Sequence, residues 1–73
     1  MPDQTPLPPG ARDHLHALRP VLRTVDNGLS REQATRILIA EGFSEEEIPY
    51  YLDMLLDRGY LYCVENYLFL TNP

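Results

Sequence analysis

Residues 29–71 read LSREQATRILIAEGFSEEEIPYYLDMLLDRGYLYCVENYLFLT, and one signal occurs twice inside that stretch. Ser30 is followed three residues later by Gln33, and Ser44 three residues later by Glu47. A serine hydroxyl accepts from the backbone N–H three residues on, while the Gln or Glu side chain reaches back to the serine's own N–H. That reciprocal pair is a capping box, and it marks the start of a helix. Apolar residues at helical spacing follow each box: Ala34, Ile37 and Leu38 after the first, Ile48, Leu52, Leu55 and Leu56 after the second. Gly42 and Gly59 close the two helices. Phe43 just before the second cap and Ile48 four residues after it form a hydrophobic staple, which fixes the angle of entry. Pro49 stands early in that helix, where it costs less than it would further in. Beyond Gly59, Tyr60 to Val64 and Tyr67 to Thr71 are rich in aromatic and β-branched residues and predict two strands. Glu65-Asn66 leaves a two-residue tip, hence a tight hairpin. Asn66 suits a positive φ; Glu65 is a poorer partner for it.

Upstream, Leu15, Leu18, Leu22 and Val25 fall on one helical face and predict a first helix over residues 10–26. Pro20 interrupts it, so either the helix kinks there or Pro20 begins a second short helix. Asn27-Gly28 stops it, because both tolerate left-handed backbone. Residues 1–9 carry Pro2, Pro6, Pro8 and Pro9 and read as an extended, flexible tail, leaving residues 10–73 as the domain. The fold class is mainly α with a small β-hairpin: three helices plus a short two- or three-stranded element. The second and third helices, joined by a four-residue turn containing glycine, form a helix-turn-helix.

A chain of 73 residues makes one domain. It buries only about 60% of its unfolded surface, which leaves no room for a core and a deep catalytic cleft together. No apolar run approaches the ~18 residues of a membrane span. The opening MPDQTPLPPG has neither a basic nor an apolar signal region. A cytoplasmic protein without membrane contact is the expectation. Cys63 is the sole cysteine and has no partner within the chain; a small, at least half-buried strand residue is its plain reading. The net charge of −5 is unevenly spread. Arg12, Arg19, Arg23, Arg31 and Arg36 offset Asp3, Asp13, Asp26 and Glu32 in the first half. The second half sets Arg58 alone against Glu41, Glu45, Glu46, Glu47, Asp53, Asp57 and Glu65. Lysine is absent, as in chains from GC-rich or salt-adapted sources.

Residues 29–71 resemble the winged-helix superfamily across almost their whole length, in the rhythm of LS, leucines, G-S, leucines, G-Y-L and a closing Y-L-F-L-T. Within it the pattern is most similar to the C-terminal winged-helix domains of archaeal minichromosome maintenance helicases and to small archaeal regulators. The resemblance implies a winged helix-turn-helix acting in DNA replication or transcription regulation. It also implies a third helix entering the major groove, base contacts from its outward face, and affinity from cations on phosphate.

That implication meets a difficulty in this chain. The face of the third helix opposite its core residues carries Glu46, Glu47, Tyr50, Asp53, Met54 and Asp57. Each acid near a phosphate is opposed by about 1–4 kcal/mol, depending on the effective dielectric. Acids at 45–47 also have a plain structural use, since they complement the positive end of the helix dipole. Asp53 and Asp57 lie too far along for that. The tip Glu65-Asn66 is short and acidic, unsuited to a minor groove. Two further surfaces compete. Arg12, His16, Arg19 and Arg23 recur at spacings of four, three and four on the first helix. They form a solvated face, or an anion-docking stripe for DNA or for the acidic helix of another copy. Arg31 and Arg36 are further candidates for anion or nucleic-acid contact. Tyr50, Tyr51, Tyr60, Tyr62 and Tyr67 exceed what a small core encloses, and tyrosine is enriched at interfaces.

Catalytic constellations are not legible. His14 and His16 are two apart and diverge on a helix, so they do not share a metal. No glycine-rich phosphate loop and no nucleophile–histidine set stand out. The expectation is a non-catalytic module with no cofactor, no metal and no small-molecule substrate. Its partners would be a protein or a second copy as a homodimer, through Glu46, Glu47, Tyr50, Asp53, Met54 and Asp57. The alternative is a direct DNA-binding transcriptional regulator. A third reading is a detached relative of a larger replication protein that serves as a tether.

Overall fold

A computed structural model describes residues 7–71. In chain order the elements are α1 (Pro9–Thr24), β1 (Leu29–Ser30), α2 (Arg31–Ala40), α3 (Ile48–Asp57), β2 (Leu61–Val64) and β3 (Tyr67–Leu70). Three helices and a small antiparallel three-stranded sheet are the observed architecture. Of the proline-rich segment, residues 1–6 lie outside the described residues. Leu7 is buried against the core, so the packed part starts three residues before the expected boundary.

Pro9 is the first residue of α1, where a missing N–H costs nothing because that donor has no intrahelical acceptor. The ladder starts as the Arg12 N–H donates to the Pro8 carbonyl at 3.0 Å. Pro20 sits inside a single helix and does not begin a second one. The carbonyl it leaves without a donor belongs to His16, and both residues are exposed, so that carbonyl is open to solvent. Ala11, His14, Leu15, Leu18 and Leu22 face inward. The helix ends at Thr24, two residues earlier than expected, because Val25 is extended; only Gly28 of the Asn27-Gly28 pair has positive φ.

The first capping box forms as read. The Gln33 N–H donates to Ser30 Oγ at 3.0 Å, and the Ser30 N–H donates to Gln33 Oε1 at 3.0 Å. The second box does not form. The regular ladder of α3 begins at Ile48, with Glu47 in helical conformation at its N-cap and no side-chain cap. Pro49 explains the shift: it has no N–H for the Glu45 carbonyl, so residues 45–47 make only a turn onto the Ser44 carbonyl. Both helices end alike. The Phe43 N–H reaches the Leu38 carbonyl, and the Tyr60 N–H reaches that of Leu55. This six-to-one closure needs a left-handed residue between, and Gly42 (φ +99°) and Gly59 (φ +81°) provide it.

The sheet order is β1-β3-β2. Across the hairpin Leu61 pairs with Leu70, Tyr62 with Phe69, Cys63 with Leu68 and Val64 with Tyr67. The third strand is the two residues before α2, with Leu29 opposite Leu68. Glu65 (φ +51°) and Asn66 (φ +73°) form the tight turn. Leu61 and Leu68 turn inward and join Leu29 and the helical leucines in one core. Every helix and strand contributes to that core, so truncating one of its fully buried leucines to Ala costs about 2–5 kcal/mol. Cys63 is exposed, contrary to the expectation of burial. The helices cover β2 at Leu61 but not two residues further along, near the hairpin tip.

Candidate interaction surface

α3 turns Ile48, Leu52 and Leu55 into the core and leaves its other side to solvent. Tyr50 there is 62% exposed, the largest exposure of any bulky apolar side chain among the described residues. Its ring meets the half-buried Tyr51 edge-on, with centroids 5.0 Å apart. Tyr50, Asp53, Met54, Asp57 and Arg58 line an open groove of about 340 Å³. Glu46 and Glu47 are exposed in the turn that leads into α3. Of the six residues expected on this face, the structure brings Tyr50, Asp53, Met54 and Asp57 to one groove and leaves Glu46 and Glu47 exposed in the turn ahead of the helix.

It also adds cations that the helical period alone does not reveal. Arg31, the first residue of α2, bonds Asp53 through Nη2 and Oδ1 at 3.0 Å. Both side chains are well exposed, so this bridge contributes about 0–1 kcal/mol. Arg58 stands on the groove wall. Arg36 pairs with Glu32 one turn away at 3.0 Å, on the surface. Arg31 and Arg36 therefore hold local acids, whereas no hydrogen bond or ion pair ties Arg12, Arg19 or Arg23 among the described residues. Arg12, His16 and Arg23 are exposed and Arg19 is half-buried. Arg19 borders a second groove, of about 310 Å³, with Leu15, Gly59, Tyr60, Leu70 and Thr71.

The remaining aromatic residues divide between two places. Tyr62 stacks on Phe69 across the hairpin at 5.3 Å, on the sheet face that also carries the exposed Val64 and Tyr67. Tyr51 instead covers the start of α1. A Cβ on Gly10 would come within 2.5 Å of its ring, so glycine is what lets the ring lie there. Between Tyr51 and Phe43 lies His14, 2% exposed, with ring centroids 4.6 and 4.2 Å from theirs. Its Nδ1–H donates to the Gly10 carbonyl at 2.6 Å, and its Nε2 is buried with no hydrogen-bond partner among the described residues. Sequence reasoning treated His14 only as half of a metal pair. The signal for its burial was present, since 11, 14, 18 and 22 are spaced as an inward helical row.

Among the described residues no group of three or more His, Cys, Asp or Glu side chains is placed to hold a metal ion. No described helix is long and apolar enough to cross a membrane. No family model matches the chain, and no curated protein or solved structure is significantly similar to it.

Proposed function

We propose that this chain is a non-catalytic winged-helix module of DNA transactions or transcription that works through protein–protein contact at the outer face of α3. The element order and the β1-β3-β2 sheet agree with a winged-helix layout, with the β2–β3 hairpin as the wing. The observation that carries the reading is Tyr50, 62% exposed in a groove it shares with Asp53, Met54, Asp57 and Arg58. An aromatic anchor beside Met54, ringed by charges, has the make-up of a protein contact: apolar at the centre and polar at the rim. A phosphate backbone needs the opposite sign of charge there. Arg31 pairs with Asp53, and Arg58 on the groove wall is the other cation against Glu46, Glu47 and Asp57.

A photocrosslinking substitution tests this. With Tyr50→p-benzoylphenylalanine in cells, the expected product is a protein adduct that disappears when Asp57→Lys is added. Adducts confined to DNA contradict the reading.

A further inference from the structure

The α3 face and the α1 stripe share one spacing. Arg12, His16, Arg19 and Arg23 stand at intervals of four, three and four; so do Glu46, Tyr50, Asp53 and Asp57. At 1.5 Å per helical residue the α1 row is roughly 16 Å long and the Tyr50–Asp57 part of the other roughly 10 Å, with Glu46 in the turn ahead of α3. Arg12, Arg19 and Arg23 make no ion pair among the described residues, while in the other row Arg31 bonds Asp53 and Arg58 stands on the groove wall.

The two helices also lie side by side and run the same way. Tyr51, early in α3, covers Gly10 at the start of α1, and Gly59, just past α3, shares a groove with Arg19 late in α1. Arg58, on the wall of the groove beside Tyr50, and Gly59, on the wall of the groove beside Arg19, are chain neighbours just past α3.

We infer that the partner of the α3 face is a second copy of this chain, docked reciprocally through its α1 stripe. The inference rests on the protein-contact reading above and names its partner. A two-fold axis perpendicular to the two helices sets α1 of each copy antiparallel to α3 of the other. Both pairings form at once and the assembly closes as a dimer. Arg12 then faces Asp57 across the axis, His16 offers a ring N–H to Asp53, and Arg23 faces Glu46. Tyr50 falls opposite Arg19, whose groove has Leu15 and Tyr60 on its walls. An aromatic ring entering an apolar groove beneath a guanidinium gains both area burial and a cation–π contact. This explains why the most exposed bulky apolar side chain and a half-buried arginine with no ion pair among the described residues occupy matching places in the two rows.

Sedimentation equilibrium of the whole chain tests it. The expected result is a monomer–dimer equilibrium between about 10 µM and 1 mM, shifting toward monomer as salt rises and screens the charged pairs. Tyr50→Ala, Arg12→Glu and Asp57→Arg should each weaken the dimer by about tenfold or more. Arg12→Glu with Asp57→Arg on one chain should restore it, because each copy then offers the exchanged pair. Both charge changes suit their helix ends, so folding should survive, as circular dichroism would verify. A chain that stays monomeric throughout overturns the inference, as does a dimer that the exchange does not rescue. A dimer lost with Tyr50→Ala yet indifferent to both charge changes also overturns reciprocal docking, while leaving α3 as a protein contact. Crosslinks from position 50 to DNA alone remove that broader reading instead.

Discussion

At the scale of single residues, His14 shows how a polar side chain enters a small core. Its ring fills the space between Phe43 and Tyr51, and one nitrogen bonds the Gly10 carbonyl. The other nitrogen is left without a partner among the described residues, and a buried unsatisfied polar atom costs about 1–3 kcal/mol. His14→Phe keeps the ring and removes that atom, while the Gly10 carbonyl keeps its place in the helix ladder. Urea unfolding should find this variant as stable as the parent or up to about 1 kcal/mol more so. His14→Ala leaves a hole between two rings and should lose about 2–4 kcal/mol. A large loss with Phe would mean that the imidazole's polar contacts, not its shape, hold the site. Row spacing on α1 made His14 legible as inward-facing. The stack around it was not, because Phe43 and Tyr51 arrive from distant parts of the chain.

At the scale of elements, local chemistry was the readable part and its exceptions have local causes. Ser30 and Gln33 cap α2 because nothing downstream interferes. Ser44 and Glu47 present the same letters, but Pro49 removes a donor and α3 starts at Ile48 without a side-chain cap. The two serines should therefore differ in stability measurements. Ser30→Ala should cost about 1 kcal/mol by denaturant unfolding, and Ser44→Ala no more than a few tenths. Equal costs would restore the second capping box. The glycine endings at 42 and 59 and the turn at Glu65-Asn66 were legible for the same reason, since backbone conformation there is decided by neighbouring residues. β1 was not: two residues carry no periodicity, and their pairing with β3 is set by how the hairpin folds back.

At the scale of the whole molecule, charge is the organising feature. Its division into a mildly basic first half and an acidic second half could be read directly from the residue order. Which charges remain available could not, because Arg31 meets Asp53 only when α2 and α3 pack together. After that pairing the α3 side still presents Asp57 and Arg58 beside Tyr50, with Glu46 and Glu47 exposed in the turn ahead of the helix. Under the proposed function such a side favours protein and repels polyanions. Titration with duplex DNA, for the parent chain and for Tyr50→Ala, Arg19→Ala and Arg23→Ala, tests this most directly. The predicted Kd is no tighter than about 10⁻⁵ M at about 150 mM salt, with any residual binding lost through the arginine changes and not through Tyr50→Ala. A Kd below about 10⁻⁷ M that Tyr50→Ala weakens and the arginine changes leave untouched would contradict it.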